Sequence, residues 1–133
     1  MIRNRNMSPE ARARTLVAYF DINSTTPIFE VGFHPDCQLK IQSIRVVYVV
    51  TTDGGSVSSN IQVGIIGNAT KYANITAATS QTAGTVTVVT PSSTDLVAKN
   101  TPLVINRNNL TAGGNAGEVA VVVTYELVDS TKN

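Results

Sequence analysis

Glu-Val-Ala-Val-Val-Val-Thr-Tyr-Glu-Leu-Val, residues 118–128, is the stretch that decides the fold class of this chain. It is dense in β-branched residues and contains neither Pro nor Gly, so it predicts one long strand. Successive side chains of a strand point to opposite faces. One face of this strand is apolar throughout and the other is mixed; the apolar face comprises Val119, Val121, Val123, Tyr125 and Leu127. Such alternation is typical of a strand that covers the core of a β-sandwich.

Strand character recurs along the rest of the chain. Further strands are predicted over residues 15–22, 28–33, 39–52, 56–66, 71–78, 85–89, 96–98 and 103–106. Turn-forming residues separate these segments, and Asp53-Gly54 between two apolar runs predicts a β-hairpin. Many short strands with regular turns predict an all-β fold: a single antiparallel β-sandwich, jelly-roll-like, with a flexible N-terminal arm.

Length and composition are consistent with one domain. The chain has 133 residues, no Trp, 42% hydrophobic residues and 14% charged residues, against about 25% charged in an average globular domain. We therefore expect a core of aliphatic side chains and a weakly charged surface. The predicted organisation is a basic arm over residues 1–13 and a β-sandwich over residues 14–133.

The arm is defined by its arginines. The first fourteen residues contain four basic side chains, Arg3, Arg5, Arg12 and Arg14, and one acidic side chain, Glu10. The rest of the chain has a small excess of acidic side chains. These four arginines are the predicted interface residues, and an acidic seam of a neighbouring protein is the predicted docking site. Nucleic acid is a less favoured partner, and a solubilising tail is the simpler alternative.

Catalytic chemistry has little support in the sequence. The single His34 stands in His34-Pro-Asp-Cys37, which predicts a tight loop with side-chain-to-backbone turn bonds in preference to a metal or nucleophile site. Cys37 is the sole cysteine, so no intrachain disulfide can form. Gly64 and Gly67 lack the Lys-Ser/Thr of a phosphate loop and predict a bulge or a strand end. No catalytic residue, cofactor or metal ligand is predicted, and an unrecognised hydrolase is the remaining enzymatic alternative.

Targeting signals are also not expected. The apolar run 16–20 is too short for a signal-peptide core, and no run approaches the roughly 20 apolar residues of a membrane span. The sequence therefore predicts neither ordinary secretion nor membrane insertion.

The C-terminal part of the chain resembles small jelly-roll virion proteins of tailed bacteriophages, including capsid decoration proteins and other head or tail proteins. The resemblance lies in TPLVIN (101–106), LTAGG (110–114) and the closing strand GEVAVVVTYEL (117–127), within residues 39–128. It implies an oligomeric β-module, for example a trimer, seated on a shell, with the arm reaching a neighbouring subunit.

These observations together predict a non-enzymatic structural component of a phage particle, made in the host cytoplasm and located in the virion. A shell-associated capsid or decoration protein is favoured, with itself and other capsid subunits as partners. The alternative is a tail-fibre or receptor-binding and carbohydrate-binding β-sandwich, which jelly rolls also form. The absence of Trp argues against a sugar-binding platform.

Overall fold

The computed structural model describes residues 13–21, 29–52, 58–76, 81–111 and 117–129. Within these residues the chain forms eight strands: β1 (Ala13–Asp21), β2 (Phe29–Gly32), β3 (Cys37–Val50), β4 (Ser58–Ile65), β5 (Asn68–Thr76), β6 (Val86–Val89), β7 (Leu103–Thr111) and β8 (Glu118–Asp129). The predicted arm, residues 1–13, lies outside the described residues except for Ala13, which begins β1.

The strands form two four-stranded antiparallel sheets. Sheet A has the order β1-β8-β3-β6 and sheet B the order β2-β7-β4-β5. Apart from β4 and β5, strands consecutive in the chain lie in opposite sheets, an alternation that jelly rolls also show. The predicted antiparallel β-sandwich is confirmed.

Strand β8 lies at the centre of sheet A, hydrogen-bonded to β1 on one side and β3 on the other. Its predicted apolar face is confirmed as the core face, because Val119, Val121, Val123, Tyr125 and Leu127 are all buried. Side chains from β1, β3, β4, β5 and β7, together with Val97, complete the interior between the two sheets.

The predicted hairpin at Asp53-Gly54 is wrong. Residues 53–57 lie outside the described residues, but β3 belongs to sheet A and β4 to sheet B, so the two strands do not pair. Both edges of β3 are already occupied, by β8 and β6. The hairpin that does form joins β4 to β5 at Ile66-Gly67, where Gly67 adopts a φ of 87°.

Two other strand predictions need correction. Residues 96–98 make only an isolated bridge, in which Val97 exchanges backbone hydrogen bonds of 2.8 and 3.0 Å with Leu39. Strand β7 continues past Asn106 to Thr111. The prediction of a bulge near Gly64 is confirmed, since the β4–β5 register shifts between Val63 and Ile65.

Candidate functional site

The outward side of sheet A forms an apolar surface that crosses all four strands. The cross-strand registers place its side chains in two adjacent rows, each ordered from β1 through β8 and β3 to β6. The first row is Tyr19, Ala120, Val47 and Val86, and the second is Val17, Val122, Arg45 and Val88. These eight residues are called the outer face of sheet A below.

Apart from Arg45, the exposed side chains of the outer face of sheet A are apolar. Tyr19 is 69% exposed, Val88 67% and Val86 50%, while Ala120 is buried. The core-facing residues of the same strands already supply the interior, so these side chains are left in water. Arg45 is the one charged residue in the two rows, and the row beyond the first contains Asp21 and Glu118.

The outward side of sheet B has a different chemistry. Amide side chains follow one another across β7, β4 and β5 at the paired positions Asn106, Gln62 and Asn74. Asn106 Nδ2 donates a hydrogen bond of 3.1 Å to Gln62 Oε1. Phe29, on the edge strand β2, is 55% exposed and lies opposite Asn106. This surface is polar across β7, β4 and β5, and its edge strand β2 adds two exposed apolar side chains, Phe29 and Val31.

The His34 loop has a structural explanation. His34 Nδ1 accepts hydrogen bonds from the backbone N–H groups of Asp36 and Cys37, each at 3.0 Å. The loop therefore contains side-chain-to-backbone turn bonds, with the His34 imidazole as the acceptor of both. Cys37 is fully buried at the start of β3. In the described part of the chain, no three His, Cys, Asp or Glu side chains come together as a metal site would require.

A groove of about 220 Å³ lies beside the β3 bulge at Gln42, between Lys40-Ile41-Gln42 and residues 90–95. Its ionisable side chains are Lys40 and Asp95. Asp95 Oδ2 lies 3.6 Å from Lys71 Nζ, outside the groove lining. The groove therefore lacks the paired carboxylates or the base–nucleophile pair that hydrolysis needs.

Two buried polar side chains, Arg107 and Tyr72, make structural hydrogen bonds. Arg107 on β7 is buried, donates from Nη1 to the Asp21 carbonyl oxygen at 2.8 Å, and has its guanidinium carbon 4.8 Å from the centre of the Phe20 ring. Burial lowers the pKa of Arg107, and the nearby Asp21 charge opposes that shift. Tyr72 donates to the Asp95 carbonyl oxygen at 2.8 Å. Burial raises the pKa of Tyr72, and Asp95 adds to this effect.

Of the four predicted interface arginines, the structure describes one. Arg14 is exposed on β1, opposite Tyr125 of β8, and its Nη1 donates to the Ala13 carbonyl oxygen at 3.0 Å. Arg3, Arg5 and Arg12 lie outside the described residues. The outer face of sheet A and the buried Arg107 were not predicted; Arg107 lies one residue beyond the predicted strand over residues 103–106.

Comparisons with known proteins give one distant structural counterpart. No family model matches the chain. No curated protein matches it. Among solved structures, a chain described as "Cyanophage Pam1 capsid asymmetric unit" is 17% identical, with a TM-score of 0.48, over 86% of this chain and 84% of that chain. This likeness to a single chain is weak, and the description of that chain names neither a decoration protein nor a jelly-roll family.

No helix within the described ranges has the length and apolar character needed to span a bilayer.

Proposed function

We propose that this protein is a non-enzymatic structural subunit of a phage particle, a shell-associated capsid or decoration protein, and that it assembles through the outer face of sheet A. The observation that supports this proposal is the pair of apolar rows that crosses all four strands of sheet A. Contiguous exposed apolar surface of this kind marks protein–protein interaction sites.

Energetics favour covering this surface. Removing apolar surface from water contributes about 25 cal/mol per Å², and the half- to two-thirds-exposed side chains of Tyr19, Val86 and Val88 provide much of that surface. The surface is also rigid, because it lies on paired strands and not on loops. Binding therefore requires little ordering of the backbone, which lowers the entropic cost of assembly.

The test uses one charge placed on each side of the sandwich. Val88→Asp adds a carboxylate to the outer face of sheet A, and Asn74→Asp adds the same charge to the outward side of sheet B. Both positions are exposed, so both variants should fold with melting temperatures close to that of the parent.

Incorporation is measured by producing each variant during particle assembly and quantifying the chain in purified particles. We expect Val88→Asp to lower incorporation roughly ten-fold or more, because it places a carboxylate in an apolar contact, and Asn74→Asp to have little effect. Unchanged incorporation of a folded Val88→Asp protein would remove this face from the proposal.

A receptor-binding or carbohydrate-binding module is the second candidate. The observation in its favour is the row of amides on sheet B beside the exposed Phe29 ring, because amides can hydrogen-bond sugar hydroxyls and an aromatic ring can stack on a sugar face. This function predicts that Phe29→Ala abolishes binding to immobilised glycans while Val88→Asp leaves it intact. Equal glycan binding by the parent and Phe29→Ala would exclude this face as the binding site.

A further inference from the structure

We infer that the outer face of sheet A binds the same face of a second copy of this chain, in a two-fold arrangement that pairs Arg45 of each copy with Glu118 of the other. This inference rests on the proposed function, in which the same face is an assembly surface.

Two opposite charges, Glu118 on β8 and Arg45 on β3, lie on either side of the Ala120–Val47 pair. Ala120 on β8 and Val47 on β3 are paired in the sheet register. Glu118 lies two residues before Ala120, and Arg45 lies two residues before Val47. Because β8 and β3 are antiparallel, Glu118 and Arg45 lie on opposite sides of the Ala120–Val47 pair. At about 3.3 Å per residue and 4.8 Å between strands, their Cα atoms are about 14 Å apart.

This separation prevents the two charges from pairing within one chain, and among the described residues neither has an ion-pair partner. Both side chains are exposed. A two-fold axis that lies in the interface, passes between Ala120 and Val47 and runs perpendicular to the line joining Glu118 and Arg45 exchanges the positions of these two charged residues. Arg45 of one copy then lies over Glu118 of the other, and the same contact occurs a second time.

The other residues of the face are compatible with that axis. The row Tyr19, Ala120, Val47 and Val86 packs mainly against the same row of the second copy. No like charges meet, since Lys40 and Glu126 lie beyond Thr124 at the far end of the face. Asp21, next to Glu118, lies close to the buried Arg107, which donates to its carbonyl oxygen.

The size of the face sets the expected affinity. The two rows of the outer face of sheet A and the adjacent row with Asp21 and Glu118, across four strands at about 4.8 Å spacing, cover about 400 Å² per copy. The total of about 800 Å² is below the roughly 1,200–2,000 Å² of a standard stable interface. We therefore expect a weak dimer in solution that is populated when subunits are concentrated, as they are in a particle.

The experiment is sedimentation equilibrium of the full chain from micromolar to millimolar concentrations, with charge-reversed variants. Arg45→Glu and Glu118→Lys should each weaken self-association roughly ten-fold or more, since each places like charges together twice. An equimolar mixture of the two variants should associate like the parent. In the mixed dimer the introduced glutamate of one chain lies over the introduced lysine of the other, and the unchanged Arg45 lies over the unchanged Glu118. Lys40→Glu is the control: it makes the same change in charge on the same strand and face, away from the axis.

A parent chain that stays monomeric at millimolar concentration would overturn this inference, as would failure of the mixture to recover association. An equal loss of self-association in Lys40→Glu and in Arg45→Glu would also overturn the inference. The net charge of the chain, and not the position of the charge, would then determine self-association. Failure here is distinguishable from failure of the proposed function. A monomeric parent whose particle incorporation still depends on Val88 uses this face for a different subunit, whereas a dimeric parent absent from particles has the contact without the function.

Discussion

Arg107 and Asp21 join the two sheets: the Arg107 guanidinium, on β7 of sheet B, donates a 2.8 Å hydrogen bond to the backbone carbonyl of Asp21, the last residue of β1 in sheet A. The guanidinium also lies over the Phe20 ring. Among the buried residues described, it is the one charged side chain. The Arg107 guanidinium thereby holds the end of β1 in place. Strand β1 is the edge strand of sheet A from which Tyr19 points outward.

Arg107→Ala should therefore destabilise the fold. The variant leaves the Asp21 carbonyl without this donor and removes the contact with Phe20, so we expect a loss of about 2–4 kcal/mol in the free energy of unfolding. Urea denaturation measures it. Arg45→Ala is the matched control on the exposed face, with an expected change within about 0.5 kcal/mol. Equal effects of the two substitutions would show that Arg107 does not join the sheets as described.

Gly117 precedes β8 and should tolerate no side chain. Its φ is 131°, and a Cβ there would lie 2.7 Å from Thr52 Cγ2 and 2.9 Å from Thr52 Cα. Gly117→Ala should cost about 2 kcal/mol or more, from backbone strain and overlap together. Gly84→Ala is the control, because Gly84 also has a positive φ but nothing within 4 Å of a built Cβ. A melting temperature for Gly117→Ala at or above that of Gly84→Ala would contradict the packing of Thr52 against residue 117.

Stability should fall at alkaline pH. Burial raises the pKa of Tyr72 and of Tyr125 above 10.0; Asp95 adds to the shift at Tyr72, and Arg14 opposes that at Tyr125. The unfolded chain then loses these protons first, so the unfolded state binds fewer protons than the folded state as pH rises above about 10. The stability that these two protonated phenols contribute is fully present below that pH. It is lost as pH rises through their folded-state pKa values.

Urea denaturation across pH 8 to 11 (roughly the range that brackets a tyrosine pKa) measures this loss. Tyr125→Phe should make the alkaline decline in the free energy of unfolding less steep. At neutral pH it should lower the free energy of unfolding only slightly. A decline equally steep in Tyr125→Phe and in the parent would show that this phenol does not contribute to the alkaline limb.

Much of the fold could be predicted from alternation along single strands, and the sheet partners could not. On β8 one face is uniformly apolar, so the period of two identifies the buried side without ambiguity. Asp53-Gly54 suggested a hairpin because local turn chemistry does not report that β3 already has neighbours on both edges. Pairing between segments far apart in sequence leaves no local signal.

The candidate site was missed for a related reason. In the segment Val86-Thr-Val-Val89 both faces contain Val, so alternation cannot tell which side faces water. Arg107 continues the alternation of Leu103 and Ile105, and extending that strand by one residue would have placed it on the inner face. What the sequence could not provide is the carbonyl of Asp21 as its acceptor, because that contact spans 86 positions.

The N-terminal arm is proposed to act in assembly and not in folding. Residues 1–12 contain Arg3, Arg5 and Arg12 and few large apolar side chains, so they can add little to the core. A chain beginning at Ala13, the first residue of β1, should melt like the full chain but incorporate poorly into particles. Incorporation of the full chain should also weaken as salt rises, since arginine–carboxylate contacts at an exposed surface are screened. Equal incorporation of the truncated and full chains would leave the outer face of sheet A as the sole anchor.

The most direct test of the structural role is the copy number of this chain in purified phage particles, measured by quantitative mass spectrometry against the major shell protein. A shell-associated subunit predicts a fixed ratio to the shell protein and many copies in each particle. Only a few copies per particle would instead indicate a tail or fibre component, and absence from particles that otherwise assemble normally would contradict a structural role in the virion.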